Sequence, residues 1–325
     1  MMLVVFFAVG KTVYAFGETL LSVLIGNVAP SVANIRVCSD PLAGATCAHE
    51  DIITPYIGSD RPYFIFADVA DLNGVDDISS VMLDFYRQSL TGSCASDDNS
   101  CYRTIACQLD ANVSSSVARF ICPLNIKYWI DPTTSGADDY PNDHWWVKVT
   151  ATDASGASAS GSNTSDCGEV LALSGFPTTL DYGSHRLGDE TTGDTSVKVS
   201  VVQVGNVDAD MEIKSDSDVM VCGGPGGYGT IPISNQRFQS YATTPVGYAE
   251  SLKSLTTEYQ ELNLSDGPGV VDGETAVRRR VSDVGFTSNG KIAFNIAIPA
   301  TGVAGVCQSY VTITTIKESV PGNGR

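Results

Sequence analysis

The sequence predicts a mainly β protein in which an N-terminal hydrophobic α-helix is followed by two β-sandwich domains. Three observations support this class. The first 26 residues form a nearly continuous apolar segment. After Pro30, short runs rich in Val, Ile, Thr, Phe and Tyr alternate with turns rich in Gly, Asp, Asn and Ser, which is the pattern of sandwich strands. Helical periodicity is scarce in this second part of the chain.

The apolar segment contains only two charged side chains, Lys11 and Glu18. As a helix of about 1.5 Å rise per residue it would be about 39 Å long, which exceeds the roughly 30 Å hydrocarbon core of a bilayer. Pro30 disfavours its continuation. Three interpretations compete, namely a cleaved signal peptide with small residues around Ala15 to Gly17, a membrane anchor, and the polymerising core of a filament.

Lys11 and Glu18 favour the filament. They lie seven residues apart, so a helix would place them on nearly the same face. This separation is too long for a good contact within one helix, whereas staggered copies could pair the lysine of one helix with the glutamate of another. Lys11 and Glu18 are therefore the candidate assembly residues, and the partners they imply are the membrane before assembly and copies of the same chain afterwards.

Composition indicates an oxidising, extracellular compartment. The chain has nine cysteines, and its net charge is −18 because Asp and Glu outnumber Lys and Arg by 37 to 19. Such an acidic protein lacks the basic face that nucleic acid requires. Three Asn-X-Ser/Thr triplets are candidate N-glycosylation sites, at Asn112, Asn163 and Asn263.

The cysteines favour disulfides over metal binding, since no C-x-x-C pair is present. Six cysteines in the first domain allow 15 connectivities, and the sequence does not decide among them. Local pairing is the simplest hypothesis. It gives the bridges Cys38–Cys47, Cys94–Cys101 and Cys107–Cys122 in the first domain and Cys222–Cys307 in the second. Cys167 is then left over, either as a thiol or as a bridge between subunits.

Four regions are predicted: the helix at 1–27, a first sandwich at 28–160, a linker at 161–168 and a second sandwich at 169–325. In the first sandwich, the segments 70–78 and 149–156 resemble prokaryotic immunoglobulin-like surface domains. In the second, the segments 180–188, 196–206 and 291–314 resemble another immunoglobulin-like class of secreted prokaryotic proteins. These resemblances imply spacer, adhesion or assembly modules without catalytic residues.

An apolar N-terminal helix followed by immunoglobulin-like domains also resembles archaeal type IV pilin-like filament subunits. The resemblance rests on residues 1–30 and the domains behind them. It implies a structural subunit of a pilus-like filament on the cell surface, with the helix in the core and the sandwiches in the outer sheath. The alternative is a secreted or membrane-anchored adhesin that binds a glycan, a protein or a neighbouring cell surface.

One loop has the composition of a cation site. Asp71, Asn73, Asp76 and Asp77 surround a glycine turn, although the full calcium-loop spacing is missing and an ordinary loop is the competing interpretation. The sequence contains neither an H-E-x-x-H nor a G-x-S-x-G motif. We therefore expect no enzyme activity and no cofactor.

Overall fold

The computed structural model of the chain describes residues 26–42, 46–91, 93–135, 140–241, 245–249, 252–261 and 289–317. Within these ranges the secondary structure is almost entirely β-strand, and helical turns occur only as short 3-10 segments such as Val75–Asp77. No helix among the described residues is long and apolar enough to cross a membrane.

The first sandwich consists of two sheets whose inner faces pack together. Its strands are β1 Ser31–Cys38, β2 Ile52–Ile53, β3 Arg61–Ala70, β4 Ile78–Arg87, β5 Cys101–Ala106, β6 Gln108–Asn112, β7 Val117–Ile126, β8 Trp145–Asp153 and β9 Ser158–Cys167. One sheet has the order β1-β3-β7-β6 and the other the order β2-β9-β8-β4-β5. All pairs are antiparallel except β2 with β9. This is the strand arrangement of an immunoglobulin sandwich.

The central strand β8 explains why this domain has a core. Its buried residues alternate with half-buried ones along the whole strand, because successive side chains of a strand point to opposite faces. Trp145 is fully buried, stacks on Phe85 with ring centroids 4.5 Å apart, and donates its indole N–H to the carbonyl of Asp131 at 2.9 Å. Trp146 points to the other face and meets Tyr86 edge-on at 5.9 Å.

The second sandwich packs a five-stranded sheet against a long antiparallel ribbon. Its strands are β10 Leu173–Ser174, β11 Val197–Gln203, β12 Ala209–Ser215, β13 Val219–Tyr228, β14 Thr230–Pro232, β15 Gln236–Ser240, β16 Lys253–Ser254, β17 Gln260–Glu261, β18 Asn289–Ile296, β19 Ala304–Gln308 and β20 Val311–Lys317. The sheet has the order β10-β11-β18-β15-β16. In the ribbon, β12 pairs with β20. The ribbon continues where β13, which follows β12 in the chain, pairs with β19, which precedes β20.

The core of the second sandwich is separate from that of the first. It combines inward-facing residues of the sheet, including Val201, Ile292 and Phe294, with Met211 and Ile213 of the ribbon. The glycine-rich stretch 222–229 is mostly part of β13. It is paired with β19 on both sides of a register shift.

The predicted fold class has to be corrected. The described chain is β throughout and contains no α-helix, so the mixed class of a helix followed by sandwiches is wrong for what the structure describes. Residues 1–25 of the predicted helix lie outside the described residues, and its last two positions, Gly26 and Asn27, are in neither helix nor strand.

The structure places most of the predicted linker at 161–168 in a strand. Residues 158–167 form strand β9, which pairs with β8 from Ser158 to Ser165 and with β2 at Asp166 and Cys167. The small, polar residues that suggested a linker lie on the exposed and half-buried part of β9, where one face of the sheet is in contact with solvent and small side chains are tolerated. The first sandwich therefore extends to Cys167, and the second begins directly after it.

The two adjacent tryptophans provide a matched test of the core. We expect Trp145→Ala to lower the free energy of unfolding by about 3–5 kcal/mol, because it leaves a cavity in the core. Trp146→Ala should cost only about 0.5–1.5 kcal/mol, since it removes one partly exposed ring contact. Urea unfolding followed by tryptophan fluorescence reports on this domain alone, because all three tryptophans belong to it. Equal losses in the two variants would contradict the assigned faces.

Candidate functional site

Three aspartates converge at one end of the first sandwich. Asp71 directly follows β3, Asp77 directly precedes β4, and Asp153 is the last residue of β8. One carboxylate oxygen from each lies within 4.8 Å of the others. The connection between β3 and β4 and the turn after β8 meet at this end because β4 and β8 are paired neighbours.

Local hydrogen bonds hold two of the aspartates in place. Asp71 Oδ1 accepts the N–H of Asn73 at 2.7 Å, which is the Asx turn expected of an aspartate at the start of a tight loop. Asp153 Oδ1 accepts the N–H groups of Ser155 and Ala157 and the hydroxyl of Ser155, all at 2.8 to 2.9 Å. Both carboxylates are therefore positioned by the backbone of the loops that carry them.

The cluster concentrates negative charge in a sheltered place. Asp71 and Asp153 are each only 1% exposed, and Asp77 is half-buried. Within the described residues, none of the three carboxylates forms an ion pair. The second oxygen of Asp71, Oδ2, is buried and has no hydrogen-bond partner. Carboxylates in such surroundings repel one another and are costly to bury without a compensating charge.

The chain segment before β1 closes over this cluster. Asn27 donates its amide to Asp153 Oδ2 and to Ser155 Oγ, both at 2.8 Å, and the N–H of Val28 donates to Asn73 Oδ1 at 2.9 Å. The Asn27 hydrogen bond is the main cause that holds the pKa of Asp153 below its usual value. Asn27, Asn73, Asp76 and Asp77 line an open depression of about 410 Å³ beside the cluster.

The structure therefore revises the predicted cation residues. Asp71 and Asp77 belong to the carboxylate cluster, whereas Asn73 and Asp76 are exposed and lie at its rim. Asp153 belongs to it as well, although it is 76 residues away from Asp77 in the chain. A signal for Asp153 was present in the sequence, since it ends an alternating strand in a D-A-S-G turn, but its position beside Asp71 depends on strand pairing.

A second depression, of about 640 Å³, lies around Arg87 and the loop at residues 140–143. The guanidinium contacts the buried Asp131 at 2.5 Å and Asp143 at 3.0 Å, and its centre lies 3.7 Å from the ring centroid of Tyr140. Burial alone would raise the pKa of Asp143, but hydrogen bonds from Ser89 and His144, together with Arg87, lower it overall. Because two carboxylates neutralise the arginine, this cluster holds a loop rather than attracting an anion.

The two sandwiches are joined by a buried polar contact. Asn206, in the turn between β11 and β12, is fully buried and donates its amide to the carbonyls of Ile130 at 3.1 Å and Gly168 at 2.9 Å. Its side-chain oxygen accepts the N–H of Val170 at 2.6 Å. The N–H of Gly58 in the first sandwich donates to Val204 in the same turn at 2.7 Å.

Close backbone approach at this junction explains one of its glycines. A Cβ at Gly205 would collide with the carbonyl oxygen of Val170. Lys317, at the end of β20, forms an ion pair with both oxygens of Glu169 at 2.8 Å, which ties the start of the second sandwich to its last strand. The hydrogen bonds from Asn206 to Ile130 and from Gly58 to Val204 hold the second sandwich against the first.

All four predicted disulfides are present. They are Cys38–Cys47, Cys94–Cys101, Cys107–Cys122 and Cys222–Cys307. The last bridge joins directly opposed residues of β13 and β19. Cys167 takes part in none of them, and its buried sulfur lies 3.8 Å from the Asn206 amide at the domain junction. Four bridges indicate that the protein belongs to an oxidising compartment.

The glycosylation candidates differ in accessibility. Asn112 is exposed at the end of β6. Asn163 is half-buried in β9, donates its amide to the carbonyl of Ile35 at 2.8 Å, and accepts the N–H of Thr164, so its amide nitrogen is engaged in the folded domain. Asn263 lies outside the described residues, as do the candidate assembly residues Lys11 and Glu18.

Comparisons with known proteins do not identify a family. No protein-family model and no curated protein matches the sequence. Among solved structures, the chain is similar to the CupB6 tip adhesin from Pseudomonas aeruginosa, with 10% identity, 90% of this chain and 95% of that chain covered, and a TM-score of 0.28. It is also similar to the secreted serine protease VesC from Vibrio cholerae, with 8% identity, 82% and 49% covered, and a TM-score of 0.18.

Likenesses of this size carry no argument about function. The class that the fold and the bridges define is an all-β, disulfide-bonded protein with two packed sandwiches. The segment on which the resemblance to pilin-like subunits depends, residues 1–25, lies outside the described residues.

Replacing Asn206 should loosen the junction. We expect Asn206→Ala to destabilise the protein by about 2–3 kcal/mol, because it leaves buried backbone groups without partners. Hydrogen exchange at the amides of Gly58 and Val170 should accelerate. Asn235→Ala is the matched control, since Asn235 also donates to a backbone carbonyl, that of Ala297, but within the second sandwich. Faster exchange at Gly58 in the control variant would contradict the assigned contact. Unchanged exchange at Gly58 in Asn206→Ala would contradict it as well.

Proposed function

We propose that this chain is an extracellular, cell-surface protein with an adhesin-like, structural function, in which the two sandwiches act as one stiff unit. The observation that carries this proposal is the buried junction around Asn206. A module that transmits force or holds a binding surface at a fixed distance needs domains that do not swivel. A buried, fully hydrogen-bonded contact between them meets that need better than a flexible linker would.

The covalent structure supports the same proposal. Three bridges lie in the first sandwich, and each closes a short loop between or beside strands. The fourth spans 85 residues of the second sandwich. Each bridge typically stabilises the folded protein by about 2–4 kcal/mol, mainly because it restricts the conformations of the unfolded chain. Such bridges suit a protein that must stay folded outside the cell, where no chaperone refolds it.

We also propose that the chain is not an enzyme. One trio of residues has the composition of a serine nucleophile site, because His49 Nε2 lies 3.4 Å from Ser165 Oγ and 3.9 Å from Asp51. Its hydrogen bonds argue against that chemistry. The N–H of Val37 donates to His49 Nδ1, so the ring proton is on Nε2, which donates to the carbonyl of Thr164 at 2.8 Å. The Nε2 atom therefore has no lone pair with which to accept a proton from the serine.

The finer hypothesis is a subunit of a surface filament whose partners are copies of the same chain. The sequence feature that favours it is the apolar segment 1–26 with its two isolated charges at Lys11 and Glu18. In this arrangement the acidic sandwiches form the outer sheath, where their net negative charge favours contact with water. Glycans or a neighbouring cell surface are the candidate partners of an adhesin that does not polymerise.

Surface location is tested on intact cells that produce the protein. We expect a membrane-impermeant amine label to modify it, and a protease added outside the cells to remove it. Peptide mapping of the recovered protein without reduction should yield the four bridges as linked peptide pairs. Protection from both reagents, together with reduced cysteines at Cys222 and Cys307, would contradict the extracellular proposal.

The filament hypothesis has a separate test. Deletion of residues 1–26 should abolish assembly, measured by sedimentation and electron microscopy, while the sandwiches stay folded, measured by the near-ultraviolet circular dichroism of their tryptophans. Lys11→Glu should impair assembly, and Glu18→Lys in the same chain should partly restore it, because the staggered pair is then reversed. Normal filaments from the truncated chain would exclude this hypothesis and leave the adhesin.

A further inference from the structure

We propose that Asp71, Asp77 and Asp153 bind a divalent cation of the calcium type, and that this ion holds the chain segment at residues 26–28 against the end of the first sandwich. The inference is independent of the proposed function, since a surface protein can act with or without such an ion. It rests on the charge, the burial and the hydrogen bonds of the cluster.

Electrostatic repulsion within the cluster favours a bound cation. Three carboxylates with oxygens within 4.8 Å of one another form no ion pair within the described part of the chain. Two of them are almost completely shielded from solvent. Neighbouring carboxylates at low exposure are stable only when a proton or a cation reduces the repulsion between them.

One carboxylate oxygen of the cluster is buried without a hydrogen-bond donor. Asp71 Oδ1 accepts a backbone hydrogen bond, and both oxygens of Asp153 have donors. Asp71 Oδ2 is buried and has none. A buried carboxylate oxygen without a donor is rare in native proteins, because its desolvation is not compensated. A cation within the cluster provides the missing partner for Asp71 and reduces the repulsion among the three carboxylates.

The ligand chemistry selects the type of cation. All three ligating side chains offer hard oxygen atoms, and neither histidine nor cysteine belongs to the cluster. Zinc and copper favour imidazole or thiolate, whereas calcium accepts six to eight oxygen ligands in an irregular arrangement. The depression of about 410 Å³ beside the cluster is open, so water can complete the coordination and the ion can enter.

The position of the cluster gives the ion a structural consequence. The loop that carries Asp71 and Asp77 also carries Asn73, which accepts the N–H of Val28. Asp153 accepts the amide of Asn27. The same loops thus hold both the carboxylates and the acceptors that bind residues 27 and 28. Repulsion within the cluster separates these loops, and a cation brings them together.

The test uses the full chain after removal of metal with a chelator. Titration with calcium chloride, followed by isothermal calorimetry and by thermal unfolding, should show one binding event and a higher unfolding midpoint. Magnesium should bind at least about tenfold more weakly, because it requires octahedral geometry and retains its water. No binding of calcium at neutral pH, or equal binding of magnesium, would overturn the assignment.

Variants distinguish this cluster from a general acidic surface. Asp71→Asn and Asp77→Asn should each weaken calcium binding at least about tenfold, by analogy with the loss seen when groups around a metal site are altered. Asp77 is half-buried, so its variant keeps the test valid if Asp71→Asn fails to fold. Asp51→Asn removes the same charge from a side chain that is 94% exposed, and it should bind calcium as the parent does. Weakening in Asp51→Asn equal to that in Asp77→Asn would overturn the proposal.

The effect on the N-terminal segment is measured separately. Hydrogen exchange at the amide of Val28 should slow on addition of calcium in the parent chain and remain unchanged in Asp77→Asn. Slower exchange in both proteins, or in neither, would overturn the inference that the ion holds residues 26–28.

Discussion

The constraint on which the first sandwich depends is the alternation of strand β8. Trp145, Val147, Val149 and Ala151 face inward and form the centre of the core. The same period of two directs Asp153 inward at the end of the strand, where the core gives way to the loops. The register that buries the tryptophan therefore also buries the carboxylate, and a shift by one residue would reverse both.

Strand pairing then determines what surrounds that carboxylate. β4 pairs with β8 so that Ile78 lies opposite Asp153, which brings Asp77 to the same end. The last residue of β3 precedes Asp71, and the loop from β3 to β4 crosses from one sheet to the other at this point. The acidic cluster is thus a consequence of the connection between the two sheets, rather than of any single loop.

At the opposite end of the sandwich, polar backbone groups form hydrogen bonds with the second domain. There the first domain ends in β9 without a linker, and Asn206 of the second domain donates hydrogen bonds to the carbonyls of Ile130 and of Gly168, the residue directly after β9. A short turn with Gly205 permits this approach. At one end of the first domain, the neighbouring domain therefore provides hydrogen-bond partners for backbone carbonyls. At the other end, three carboxylates lie close together without an ion pair among the described residues.

The residues alone indicated the β class, and local pairing was the simplest hypothesis for the three disulfides of the first sandwich, because both depend on residues close in the chain. Cys222 and Cys307 are 85 residues apart, and they were paired because they are the two cysteines of the second domain. The opposite faces of Trp145 and Trp146 follow from the period of a strand. The residues also indicated Asp71 and Asp77. They did not indicate that residues 161–167 belong to strand β9, since small polar residues are equally compatible with a linker. Only the tertiary structure decided that Asp153 joins Asp71 and Asp77 and that Asn206 joins the two sandwiches. Both contacts connect residues that are distant in the chain, and strand pairing and domain packing bring them together.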